Sequence, residues 1–367
     1  MDVVRGDRQP GARLGAWFWG TVKRVWHSVG PAQLIRGFGG FQVLVAGSRL
    51  GLFDLLEERP NLGLPEICAA LELPEHTARA LMLSSTALGL TRLDSRRGTY
   101  RNSRLMKRFW SPESKPRMRP SLEAFHELMY QPFYLLTESI KRGTNVGLDY
   151  FPGAGQTLYE RLESRPDAKR VFHAWMEAMG ENVNRVPQRV VDALRGTHRL
   201  LDVGGGDAKN AIELARRVDG LTVTIFDLPL ACELARSNVS AARLEHRVST
   251  THGNFLSDAL PDGFDAILFA HIFNIYSAET NEAVIRKCAD VLQSGGKLII
   301  YNLVSHEDQT GPWHAAFMSL YFQALATGEG FVYPPDSYEK WFEAAGFRSL
   351  QVHIGAKSGE GIFIGTK

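Results

Sequence analysis

No apolar run in this chain approaches the roughly 18 residues a helix needs to cross a bilayer, and the longer uncharged stretches are interrupted by glycine or histidine. Stable membrane insertion is therefore not expected. Cysteine is scarce as well. Cys68, Cys232 and Cys288 are far apart, show no metal-ligand spacing and leave at least one thiol unpaired, which argues against a disulfide framework or a metal site and for a reducing, cytoplasmic compartment. Nor is one sign of charge in excess: 42 basic and 40 acidic side chains nearly cancel. No global field draws such a chain to nucleic acid, and a small, largely uncharged substrate suits it better. Repeats and low-complexity tracts are missing too. A cleaved leader is not expected, because the apolar stretch Leu14–Gly20 is followed by Lys23 and Arg24 and has no small-residue cleavage site. Trp17, Trp19 and Trp26 beside basic residues leave two readings for an N-terminal arm over 1–30, an interfacial membrane helix or docking on a partner subunit.

What is present suffices for a large core plus a smaller helical domain: 367 residues, 44% of them hydrophobic. From Pro31 to Gly89 apolar residues recur at helical spacing, broken by Pro60 and Pro74, and a hairpin follows, Leu90–Leu93 and Thr99–Arg101 around the turn Asp94–Gly98. Helices followed by a hairpin predict a winged-helix-like domain over 31–115, read as a dimerisation module rather than a DNA binder. The proline- and base-rich Ser111–Pro120 reads as a linker. Helical patterns at Leu122–Ile140 and Val171–Leu194, separated by the glycine-rich Gly143–Gly155, predict a bridge over 116–195.

After Thr197 the period changes. Short apolar runs at Leu200–Val203, Thr222–Phe226, Arg247–Thr251, Ala266–Phe269 and Lys297–Tyr301 alternate with helical patterns such as Asn210–Arg217 and Glu279–Leu292. That alternation predicts an α/β domain over 196–367 with a mostly parallel sheet. Leu350–Ile354 and Ile362–Thr366 lie close enough for a hairpin, so the last strand should run antiparallel.

Within this domain Leu200–Ala208 reads as a buried strand running through Gly204-Gly205-Gly206 into a helix. Glycines there let a ligand approach the backbone, and the helix start offers unpaired N–H groups. The dinucleotide spacing fails, because Lys209 stands where its third glycine belongs. A nucleoside carrying an amino acid fits better than a pyrophosphate. About twenty residues on, the next strand ends in Asp227, whose carboxylate can accept from two ribose hydroxyls or merely cap the helix starting at Pro229. Gly253-Asn254-Phe255 offers an amide and a ring to an adenine, or is ordinary loop chemistry.

These features resemble the class I methyltransferases. The order of helical unit, helical bridge, Asp202-Val203-Gly204-Gly205-Gly206, Phe226-Asp227-Leu228-Pro229, Gly253-Asn254-Phe255 and Gly295-Gly296-Lys297 is similar to the caffeate- and acetylserotonin-type O-methyltransferases. Gly204–Asn210 and Tyr321–Tyr333 look nearest to bacterial naphthoate and polyketide enzymes. The resemblance implies a Rossmann-like sheet with an antiparallel C-terminal strand, a homodimer, no metal, and S-adenosylmethionine near Asp202, Gly204, Gly206, Asp227, Leu228, Asn254, Phe255, His271 and Tyr276. It implies an aromatic or polyketide acceptor among Met129, Phe172, Met176, Met179, Met318, Phe322, Gln323 and Thr327, a set that packing alone would also explain. The family usually has aspartate at Asn254 and glycine at Ala208.

The chain departs from the family where the chemistry should be. The family's proton-removing histidine aligns with Asn274, and its two supporting glutamates align with Asn302 and Val332. An amide has no useful pKa, so Asn274 is a catalytic position without a base. His271, His126, His173 and His314 are the substitutes to weigh, though the place of His271 at a strand end better suits a cofactor contact or a structural hydrogen bond. The expectation is O-methylation of an acceptor acidic enough to ionise unaided, driven by proximity and a dry pocket. The alternatives are C-methylation at an activated ring or enol carbon, and a non-catalytic or DNA-binding relative.

Overall fold

Leu200, Leu201 and Val203 are fully buried because the strand that carries them packs both faces of a sheet. In the computed structural model, which describes residues 1–5, 30–183, 186–355 and 359–367, that strand is central among eight. The strands are β1 (Asp2–Arg5), β2 (Leu62–Gly63), β3 (Thr91–Asp94), β4 (Thr99–Asn102), β5 (Arg199–Val203), β6 (Thr222–Asp227), β7 (Val248–His252), β8 (Ala266–Ala270), β9 (Lys297–Leu303), β10 (Ser349–Ile354) and β11 (Glu360–Thr366). The large sheet has the order β1-β10-β11-β9-β8-β5-β6-β7. β5 to β9 are mutually parallel, β11 runs antiparallel to β9, and β1 lies parallel to β10 at the edge. The expected α/β methyltransferase-type sheet with its antiparallel last strand is what is found. The arm expected over 1–30, with Trp17, Trp19 and Trp26, falls outside the described residues apart from its two ends.

One sheet face packs Leu201, Val203, Ile267 and Phe269 against Ile285, Tyr338 and Phe342, and the other packs Leu200, Ile225 and Leu268 against Ala211, Leu214 and Val190. The chain leaves β5 outward to β6 and later returns to β8 on its other side. Such a reversal opens a crevice beyond the carboxyl ends of the strands.

The chain forms two compact units, Met1–Asp7 with Met129–Lys169 and Gly180–Lys367, and Arg8–Leu128 with Arg170–Met179. The stretch 116–195 is thus divided between them. In the second unit the helices Pro31–Arg49, Leu52–Glu58, Leu64–Leu71, Glu75–Ala87 and Arg104–Phe109 enclose Leu52, Phe53, Leu56, Ile67, Met82, Met106 and Trp110. The hairpin forms as β3 and β4 with Thr91 opposite Asn102, and β2 adds a third short strand.

The linker expected at Ser111–Pro120 is corrected: Lys115–Ala124 is an α-helix. Pro116 sits in the first turn, where its missing N–H costs nothing, and only Pro120 deletes a bond. Buried Leu122 and Ala124 and the 2.5 Å ion pair of Lys115 with Asp54 hold the helix against that loss. The helix expected over Leu122–Ile140 is likewise not continuous. It passes through a π turn, Phe125–Met129, and a 3-10 turn, Pro132–Leu135, before the helix Leu136–Arg142.

A second π turn, Phe322–Ala326, ends the helix Trp313–Tyr321 in the first unit. Side chains satisfy its loosened carbonyls: Ser139 Oγ donates to Ala324 O at 3.4 Å and Asn145 Nδ2 to Leu325 O at 3.4 Å. Gly147 passes so close that a Cβ there would lie 2.6 Å from Ala324 O.

Candidate functional site

The turn after β5 is built for close backbone approach. Gly204 and Gly206 have φ of 71° and 56°, which an L side chain rarely adopts. A Cβ on Gly204 would meet Ile272 at 2.7 Å, and one on Gly205 would meet Asp202 Oδ2 at 2.7 Å. Ala208 keeps a positive φ of 69° despite its methyl, and it heads the helix Lys209–Arg217. The family's glycine at this position avoids that strain.

Two carboxylates frame the turn, and they differ. Asp227, at the end of β6, accepts from the Gly206 N–H at 2.9 Å through Oδ2 and from the Leu228 N–H at 2.7 Å through Oδ1. Its carbonyl accepts from the Gly253 N–H at 2.9 Å, which ties the loop after β7 to the same point. Asp202 is 1% exposed and neither of its oxygens has a hydrogen-bond partner. Burial, reinforced by the charge of Asp227, pushes its carboxyl up to about 7. A buried carboxylate without a donor is costly unless a ligand supplies one.

The adenine candidates follow. Phe255 meets the rings of Phe269 and Tyr276 edge to face, with centroids 5.7 Å apart in each pair. Asn254 is exposed; its N–H donates to Asp258 Oδ2 at 2.8 Å, and its own Oδ1 accepts from the Leu256 N–H at 3.0 Å. The amide oxygen is thus drawn into its own loop. Leu228 is 53% exposed and open to a ligand. Sequence reasoning missed Asn238, whose Nδ2 donates to Asp207 O at 2.8 Å and holds the far side of the turn from the helix Pro229–Ala241. An asparagine in the middle of a helix was the available signal.

At the end of β8, His271 has a positive φ of 59°, its N–H donates to Tyr301 O at 2.7 Å, and its ring lies edge to face on Tyr301 at 4.5 Å. Asn274 is 3% exposed and gives both amide hydrogens to backbone carbonyls, Leu303 O at 3.1 Å and Phe331 O at 3.3 Å. Asn302 is fully buried with Nδ2 donating to Tyr338 Oη at 3.1 Å, and Val332 is fully buried. These three positions are spent on packing. His126 lies in the second unit, 3.4 Å from Gln42 Nε2, and His173 there lies beside the ring of Phe172. His314 packs against Gly359 at the base of the last hairpin.

Of the expected acceptor-lining residues, Met129, Met318, Phe322, Gln323 and Thr327 belong to the first unit and Phe172, Met176 and Met179 to the second. Met129 and Phe322 are buried, Met318 and Phe172 half-buried and Met176 46% exposed; the side chain of Met179 lies outside those described. Two of the polar candidates are already engaged. Gln323 Nε2 donates to Gly330 O at 3.1 Å, and Thr327 Oγ1 donates to Ile275 O at 2.8 Å.

The O-methyltransferase domain family matches residues 133–348. L-tyrosine C(3)-methyltransferase of Streptomyces lavendulae is 33% identical over 341 residues, covering 92% of each chain. 3-hydroxy-5-methyl-1-naphthoate 3-O-methyltransferase of Streptomyces sahachiroi is 29% identical over 336 residues, covering 91% of this chain and 94% of that protein. Among solved structures, the S-adenosylmethionine-dependent methyltransferase SibL in its apo form superposes with a TM-score of 0.77 at 36% identity, covering 92% of this chain and 98% of that one.

Proposed function

Because the chain belongs to the O-methyltransferase domain family and is an S-adenosylmethionine-dependent methyltransferase, we propose that its acceptor is a hydroxylated aromatic ring methylated on the carbon beside the hydroxyl. The observation that carries this reading is the fate of the base positions. Asn274, Asn302 and Val332 have no group that can take a proton, and both amides are tied into the fold. The acceptor must then be acidic enough to ionise unaided, and a phenolate offers two nucleophilic atoms, the oxygen and the adjacent ring carbon. The similarity to a tyrosine C(3)-methyltransferase favours the carbon. O-methylation, as in the naphthoate relative, is the second reading and uses the same acceptor class.

The residues fit the cofactor. Asp202 offers a buried carboxylate to a cationic group, Asp227 keeps lone pairs for ribose hydroxyls, and Gly204 and Gly206 leave room beside the backbone. Phe255 and Tyr276 would flank the adenine, with Leu228, His271 and Asn254 at its edges. When bound, S-adenosylmethionine supplies a methyl group already activated on a sulfonium. What remains for Met129, Met318 and Phe322 of the first unit is to align the ring and exclude water, with Gln323 and Thr327 fixing the wall behind it.

Transfer to carbon forms a C–C bond, leaves the S–C electron pair on sulfur and releases the ring hydrogen as a proton. A ring-deuterated phenol therefore separates the readings. The C-methyl product has lost one deuterium, whereas full retention in the product would establish O-methylation.

We also read the second unit as a homodimerisation module. Leu34, Ile35 and Phe38 are 69%, 77% and 62% exposed on the helix Pro31–Arg49. Sedimentation should show a dimer, and Ile35→Glu should weaken it; a stable, active wild-type monomer at micromolar concentration sinks this assignment.

A further inference from the structure

The loop 253–258 after β7, which carries Asn254 and Phe255, is pinned from within and from outside. Gly253 enters it flat against a ring: a Cβ there would lie 2.3 Å from Phe226 Cζ. Inside the loop, Asp258 accepts from the Asn254 N–H at 2.8 Å and from Ser257 Oγ at 2.9 Å, and its own N–H donates to Asn254 O at 2.7 Å. From outside comes the ammonium of Lys287, on the helix Ala278–Val291. Its Nζ donates to Phe255 O at 2.8 Å, to Asp258 O at 2.6 Å and to Leu256 O at 3.4 Å.

An ammonium has three donors on a flexible stem, and ordering that stem costs conformational freedom. Here the three donors meet three carbonyls of one turn, so the cost is set against the shape of that turn. With its carbonyl held by Lys287, Phe255 stands edge to face on Phe269 and Tyr276. The same helix holds the second wall. Asn281, 2% exposed, donates through Nδ2 to Phe273 O at 2.7 Å and to Tyr276 O at 3.4 Å. One rigid element of fixed rise thus anchors the backbone of both aromatic residues.

We propose that Lys287 is a positioning residue for the methyl donor: it holds the loop 253–258 in shape before the cofactor arrives and so sets where the ring of Phe255 meets the adenine. This rests on the placement of the adenine beside Phe255 given above. A loop already ordered in the free chain loses little further entropy on binding, which is where the affinity comes from. The charge of Lys287 cannot supply it, because a cation does not attract a sulfonium. Its contribution passes through the backbone that it holds.

The test uses the full-length chain with Lys287→Met, which keeps the apolar stem and removes the donors, Lys287→Arg, which restores them, Phe255→Ala, and the double variant of Lys287→Met with Phe255→Ala. Calorimetry with S-adenosylmethionine and with S-adenosylhomocysteine, its demethylated product, needs no acceptor. Lys287→Met should weaken both ligands by about tenfold, the size of one hydrogen bond to a charged group, and Lys287→Arg should recover most of that loss. In the double variant, Lys287→Met should add little to the effect of Phe255→Ala, because a residue that acts through another is not additive with it. Losses that multiply, or an unchanged affinity in a folded Lys287→Met, overturn the proposal. So does a gain for S-adenosylmethionine alone, which would mark a charge effect. Should Lys287→Met fail to fold, hydrogen exchange of the wild-type chain decides: amides of 253–258 protected before cofactor is added support the proposal, and protection that arises only with cofactor overturns it. Normal cofactor binding by Phe255→Ala removes the adenine placement and this inference together. A loss in Phe255→Ala with none in Lys287→Met removes this inference alone.

Discussion

Binding of S-adenosylmethionine should expel a proton from Asp202. In the empty chain this carboxyl sits at about 7 because it is buried without a donor beside Asp227, whereas an ordinary aspartate titrates at about 3.9. A cationic cofactor favours the ionised form, so affinity is complete above about 7 and declines as the pH falls below it. With a bound-state pKa below 6, the ratio of protonated to ionised Asp202 makes binding about eightfold weaker at pH 6 than at pH 7.5. Calorimetry in two buffers of different ionisation enthalpy should register release of about half a proton at pH 7. The same shift has a consequence for stability. The folded, cofactor-free chain holds this proton up to about 7 and the unfolded chain only to about 4, so stability falls as the pH rises through that window. The full loss is at most on the order of 4 kcal/mol, at 1.36 kcal/mol per unit. Asp202→Asn should therefore raise the melting temperature of the empty protein at pH 8 while flattening the pH dependence of binding. A flat wild-type profile, or an unchanged slope in Asp202→Asn, refutes the reasoning.

Asp227→Ala should weaken S-adenosylmethionine at least tenfold in a protein that remains folded, since the ribose loses its acceptors and the Gly206 and Leu228 N–H groups lose theirs; calorimetry alongside circular dichroism checks both halves. Replacing His271, His126, His173 or His314 by Gln should each cost less than the 10² to 10⁴ of a lost general base. A loss of about 10³ in kcat in any one, with normal binding of both substrates, would reveal a base after all. Arg161 donates to the carbonyls of Leu148, Phe151 and Gly155 at 2.8–2.9 Å, so Arg161→Ala should destabilise the protein by about 3 kcal/mol in urea titrations, because three partly buried acceptors lose a charged donor. An effect below about 1 kcal/mol would mean that water replaces it.

The catalytic sheet was legible strand by strand because its signals are local: β-branched runs, glycine turns and an acid at the end of β6 each announce themselves within a few residues. Asp202 and Asp227 could be named from their motif, yet nothing in that motif hints that backbone donors solvate Asp227 while Asp202 is left bare. That contrast arises from the meeting of β5, β6 and the glycine turn. The helix Lys115–Ala124 was misread for a related reason. Three prolines outweigh local propensity until the burial of Leu122 and Ala124 enters the balance. Asn238 was invisible because its role depends on Asp207, 31 residues away in the chain. Substitution of the base, in contrast, needed only an alignment of Asn274 with a histidine, and the structure added that its amide is committed elsewhere.

The π turn at Phe322–Ala326 amounts to a helix carrying one residue more than its pitch allows. A π turn closes its hydrogen bonds one residue further along than an α-helix does, so it takes up that surplus in one wider turn at the end of the helix. At this turn Thr327 reaches the carbonyl of Ile275, and Gln323 that of Gly330. A single deletion within 322–326 would restore regular pitch and withdraw both bonds at once, while leaving the helix that bears Tyr321 in place. The wall these two side chains hold can therefore change by insertion and deletion of one residue, a step in chain length that no substitution reproduces.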